Sequence, residues 1–182
     1  MWWLFSGRKK VQGTGWAAIL VDMQPDFLEK LTQKEKRKII RAQAEVIRVC
    51  ASRDIPVVVL EYKGHGRTLD KLNKEIFCVK RVVRIIKRRD DGFSRTSLHR
   101  RLRKLKVGSL LFMGVNASHC VLDTARSAQE LGYQVVTAST LTTNACLCCQ
   151  YRRTQELDLT FKWFTQNGYM LPSTPWEFPF FN

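Results

Sequence analysis

Two stretches, Trp16–Val21 and Leu110–Met113, are apolar without interruption. A strand with one wet face would alternate, so unbroken runs belong to strands covered on both sides, as in the centre of a parallel sheet. Parallel neighbours need long crossovers, and helical segments fill the gaps between the runs. From Gln33 to Arg53, Ile40, Ala44, Ile47 and Ala51 recur at helical spacing. Leu98, Leu102 and Leu105 do the same, as do Val121, Ala125, Ala128 and Leu131 up to Gly132. Further strands are expected at Val57–Leu60, Val82–Ile86, Gln134–Ala138 and Tyr169–Leu171, and a last helix near Arg152–Gln166. Alternation of this kind predicts one doubly wound, three-layer α/β/α domain over residues 1–182. Residues 1–15 form its aromatic and basic leader, and 172–182 a tail of aromatics and prolines. Arg84 inside an otherwise apolar run places that strand at a sheet edge. Glu61–Thr68, with Gly64 and Gly66, reads as a flexible loop.

Open α/β sheets collect ligands at the carboxyl ends of their strands, and there the first run meets Asp22. The Leu110 run ends at Gly114, and Cys120 follows at the first turn of the next helix. Unpaired N–H groups and the helix dipole favour a thiolate at such a place. A cysteine there is either a small buried residue or an activated nucleophile, and the stretch itself serves both. Likewise Asp22 could cap a turn, and Lys87 after a strand could simply be solvated.

Three segments decide between these readings. They are Ile19-Leu20-Val21-Asp22-Met23-Gln24-Pro25-Asp26-Phe27, then Ile85-Ile86-Lys87 with Phe93-Ser94-Arg95-Thr96 and Leu98, and Gly114-Val115 through Cys120-Val121 to Thr124-Ala125. In this order they resemble the isochorismatase-like cysteine hydrolases, the group of nicotinamidases, N-carbamoyl amidohydrolases and isochorismatases. The resemblance implies a six-stranded, mainly parallel sheet in the order 3-2-1-4-5-6. It implies that Cys120 attacks a carbonyl carbon, that Asp22 moves the protons and that Lys87 supplies positive charge. The backbone N–H groups of Asn116 and Cys120 would form the oxyanion hole, with a cis peptide bond at Val115–Asn116. Gln24 and Phe27 of the first segment and Arg95 of the second are expected to hold the substrate, Arg95 by pairing with an acid group. Cys120 is then expected to be the most reactive of the six thiols.

No metal is expected. Nicotinamidases carry an Asp-x-His pair after the second strand, where this chain reads Glu61-Tyr62-Lys63-Gly64-His65. Nor does Cys146-Leu147-Cys148-Cys149 have a second ligand pair at zinc spacing. No other cofactor is expected, and a redox role lacks a Cys-x-x-Cys partner for Cys120. Where the family often has an acidic residue after the fifth strand, Ser139 and Thr140 offer hydroxyls. Free cysteines, no export signal and no membrane-length apolar stretch imply a cytoplasmic location. A formal charge of +15 draws polyanions or anionic substrates. Expected partners are therefore a small, anionic substrate and further copies of the chain. The competing possibility is an idle family scaffold whose basic surface, centred on Arg95–Lys106, binds nucleic acid or another polyanion.

Overall fold

The computed structural model describes residues 13–145 and 150–171. Most of the leader, Cys146, Cys148, Cys149 and the 172–182 tail lie outside them. Six parallel strands make one sheet: β1 (Gly15–Val21), β2 (Val57–Tyr62), β3 (Val82–Lys87), β4 (Val107–Gly114), β5 (Gln134–Ala138) and β6 (Tyr169–Leu171). Their order is β3-β2-β1-β4-β5-β6, as the resemblance implies, with β1 and β4 adjacent at the switch point.

Helices α1 (Pro25–Leu28), α2 (Gln33–Ser52), α3 (Asp70–Ile76), α4 (Leu98–Lys104), α5 (Leu122–Glu130) and α6 (Gln150–Asn167) complete the chain. Side chains of β1 alternate between two cores. Ala18 and Leu20 pack towards Ile39, Ile47 and Cys50 of α2 and Leu72 and Ile76 of α3. Ala17, Ile19 and Val21 face Leu98, Leu102, Ala125, Ala128 and Phe164. With an apolar core on each face, the strand needs no polar face, which is why its sequence shows none.

In α2 the buried stripe is Ile39, Gln43, Ala44, Val46, Ile47 and Cys50; Ala44 and Ile47 of the expected stripe are in it, while Ile40 and Ala51 lie half-buried at its edge. Gln43 enters the core because its Nε2 donates to Leu141 O at 2.9 Å. Lysines and an arginine crowd the start of α2, yet a capping box offsets them. The Thr32 hydroxyl accepts from Glu35 N and the Glu35 carboxylate accepts from Thr32 N. Helix α3 has only Leu72 and Ile76 as its buried apolar pair, too few to declare a period from sequence.

Arg84 lies exposed on the outermost strand, within 3.4 Å of Glu61. Glu61 itself belongs to β2 and is buried, accepting from Thr68 N and Oγ1. The loop expected to be flexible is therefore tied at both ends.

Candidate active site

Three strand ends converge. Gly114 has φ 136°, and a Cβ there would lie 2.1 Å from Val21 O, so only glycine lets β4 end this close to β1. The cis bond at Val115–Asn116 follows at once, and then a π-helical turn, Ala117–Val121, which carries Cys120. Such turns recur at functional sites. Asn116 Oδ1 accepts from Ala145 N, and Asn144 Oδ1 accepts from Ser118 N, so the neighbouring loop braces the turn.

Asp22 leaves β1 at φ 50°, a left-handed conformation that costs a non-glycine residue on the order of 1 kcal/mol. Lys87 comes from the edge strand, two strands away. Its register partner is Tyr62, and its ammonium lies 4.3 Å from the centre of that ring before reaching Asp22 Oδ2 at 2.7 Å. The flat ring gives the lysine a path over β2, which strand order by itself does not reveal. Lys87 Nζ also donates to Arg89 O and Asp90 O, so three oxygens surround it.

Both members of the ion pair are 0% exposed. Among the described residues no amide or hydroxyl caps the Asp22 oxygens, which leaves the ammonium as the chief stabiliser of its charge. Burial raises the Asp22 carboxyl above its ordinary value, while Lys87 pulls it down. Cys120 is 4% exposed, and its thiol is pushed well up, first by burial and then by the Asp22 charge, with Lys87 partly opposing. Burial and the Asp22 charge thus work against the thiolate that a helix start favours, and beside the thiol stands a carboxyl held above its ordinary value.

A cavity of about 390 Å³ opens onto the sulfur, a size suited to a small molecule. Phe27, Tyr62 and His65, packed on one another, line it together with Asp90, Asn116 and His119. Of the residues expected to hold substrate, Phe27 lines it and two do not. Gln24 is fully buried, its amide bonded to Tyr62 N, Tyr62 O and Gly66 O, where it holds the end of β2. Arg95 is exposed, away from the lining, at φ 55°.

Asp90 is the residue that sequence reasoning missed. The pair Asp90-Asp91 before Gly92 reads as a turn, and it is one, but Asp90 Oδ1 lies 3.4 Å from Cys120 Sγ. Thr124 ties the two segments together, donating to Cys120 O and Asp90 O and accepting from Gly92 N. The signal available was closeness in sequence to Lys87.

Among the described residues no group of three or more His, Cys, Asp or Glu side chains is placed to hold a metal ion. His65, nearest to the nicotinamidase ligand position, pairs with Asp26 at 3.1 Å and packs on Phe27.

A doubly wound α/β domain with a buried aspartate, lysine and cysteine at the carboxyl ends of its strands defines a narrow class. Residues 17–146 match the isochorismatase domain model, and the chain belongs to the isochorismatase-like hydrolase family. A probable inactive nicotinamidase from Arabidopsis thaliana is 27% identical, over 71% of this chain and 80% of its own. In fold the chain is similar to the nicotinamidase from Staphylococcus aureus, with TM-score 0.71, 24% identity and coverage of 84% of this chain and 92% of that one. It is similar also to the MAR1 ribonuclease from Caenorhabditis elegans, with TM-score 0.74, 21% identity and coverage of 94% and 83%. Among the described residues no helix is long and apolar enough to cross a membrane.

Proposed function

We propose that this protein is a cysteine hydrolase that cleaves a small amide or N-carbamoyl compound through an acyl-enzyme on Cys120. The observation that carries this reading is the fully buried Asp22–Lys87 pair beside the thiol. Two buried charges contribute little net stability, since desolvation offsets most of their attraction, so a fold that retains them has another use for them.

Asp22 takes the thiol proton as sulfur bonds to the substrate carbonyl, a step helped by its raised basicity. The developing oxyanion is met by the N–H groups of Asn116 and Cys120. As the C–N bond breaks, the proton passes from Asp22 to the departing amine. Water then gives its proton to Asp22 and attacks the acyl carbon, and the S–C bond breaks as the thiol is re-formed. Throughout, Lys87 steadies the negative charge shared by sulfur and carboxylate.

Purified protein and Cys120→Ala, compared on small amides, N-carbamoyl compounds and enol ethers, provide the test. Turnover by the native protein that the variant lacks supports the reading, and equal turnover, or none on any class, defeats it. The competing reading, an idle scaffold that binds a polyanion, draws on the +15 charge and on the Arabidopsis relative described as inactive. Salt-sensitive binding of RNA, in a preparation without any turnover, would favour it.

A further inference from the structure

Against a net charge of +15, no lysine or arginine among the described residues lines the cavity beside Cys120. Lys87 is buried and fully engaged, and Arg88, Arg89 and Arg95 are exposed outside the lining. Each imidazole at the rim faces a carboxylate of its own, His65 with Asp26 at 3.1 Å and His119 with Glu156 at 3.9 Å. Protonating either one yields a neutral pair.

That leaves Asp90. Among the described residues it enters no ion pair; it is exposed at the mouth of the cavity, and its Oδ1 accepts a hydrogen bond from the Cys120 thiol at 3.4 Å, leaving lone pairs for a second donor. Burial is the main cause of the upward shifts of Asp22, Cys120 and Asp123, and the negative charge of Asp90 adds to each. Two aromatic rings, Phe27 and Tyr62, complete the wall, and ring faces attract cations. Tyr62 already takes one, the Lys87 ammonium.

We propose, on the reading of Cys120 as nucleophile, that the substrate carries a protonated amine close to its scissile carbonyl and that Asp90 selects it. A carbonyl poised for attack lies about 3–3.5 Å from the sulfur. Asp90 lines the same cavity, and its Oδ1 lies at the same range from the sulfur. A charge-assisted N–H···O bond of about 2.8 Å then places the amine about two or three bonds from the carbonyl carbon. Small amides of α- or β-amino acids have that shape. An acid group in the same place would meet Asp90 as a like charge, which reverses the expectation of an anionic substrate.

Three amides of matched size separate the possibilities: alaninamide, neutral isobutyramide and anionic malonamate. Alaninamide is expected to exceed isobutyramide in kcat/KM by about tenfold, the span of one charged contact at a partly screened site. Malonamate should fall about tenfold below the neutral amide. Asp90→Asn should bring the cation-to-neutral ratio close to one, and Asp90→Glu should retain part of it. Calorimetric binding of the same amides to Cys120→Ala reads the order without turnover. Equal kcat/KM for all three, a preference for malonamate, or an Asp90→Asn variant that lowers all three by one factor overturns the inference and leaves the hydrolase standing. Binding in the order cation, neutral, anion without turnover of any overturns the hydrolase and leaves charge selection standing. No binding of any of them overturns both.

Discussion

Inside and outside, this protein handles charge in opposite ways. Its exterior carries long basic side chains in number: on α4 and the turn after it, Arg100, Arg101, Arg103, Lys104 and Lys106 are all exposed. The site beside Cys120 holds one lysine with no exposure, locked to one aspartate, and leaves a second carboxylate, Asp90, facing the cavity. An exposed charge is hydrated and screened, so its position matters little beyond about 8–10 Å at physiological salt. A buried charge has no water to turn to, so every neighbour changes its energy and its acidity. Thirty-one basic residues therefore say less about chemistry than the placement of Lys87.

The sharpest contrast should be in catalysis. Cys120→Ala is expected to lower kcat on any accepted amide by at least about a thousandfold, whereas Arg100→Gln with Arg101→Gln should change it by less than about twofold. Comparable losses in the two variants would end the distinction between site and surface. Stability should divide the same way. Lys87→Met strands a buried carboxylate and is expected to cost about 3–5 kcal/mol in denaturant melts, while Asp22→Asn with Lys87→Met recovers most of that without recovering activity. The surface pair of exposed Arg41 and half-buried Glu45, also a carboxylate with a cation, should cost less than about 1 kcal/mol when Arg41 is changed to Ala.

Thiol labelling sharpens the comparison at the level of one atom. Cys78 is exposed and Cys120 buried, with its thiol pushed up. A raised value means that the thiolate fraction at neutral pH falls below that of an ordinary cysteine and grows about tenfold with each pH unit. Timed alkylation with peptide mapping should find Cys78 modified before Cys120 at pH 7.5, and Cys120 labelling still rising above pH 9. Faster labelling of Cys120 at neutral pH would mean that its proton has already gone to Asp22. A modest, pH-dependent effect belongs to the outer cap of α2. Glu35 is held below its ordinary value, first by the Thr32 hydroxyl and also by Arg153. Its contribution is present above pH 4.5 and disappears on acidification through its lowered value. Thr32→Ala should cost about 1 kcal/mol at neutral pH, and less in acid.

How the chain folds was written locally, and how its chemistry assembles was not. Unbroken apolar runs marked β1 and β4 as central, and Arg84 marked β3 as an edge, because burial on both faces is a property each strand must satisfy with its own residues. Resemblance in three segments named Asp22, Lys87 and Cys120, and in the structure Lys87 pairs with Asp22 beside the cysteine. Only the tertiary structure decided what surrounds them. The path of Lys87 over Tyr62, the withdrawal of Gln24 into backbone bonding and the exposure of Arg95 depend on side chains from different strands meeting at one edge. The approach of Asp90 to the sulfur depends on Thr124, thirty-four residues further along, holding the turn in place. The state of the thiol could not be read in advance either, because a helix start argues for a thiolate and burial argues against it. Only the packed site, with 4% of Cys120 exposed and Asp22 beside it, shows how strongly its surroundings oppose the thiolate.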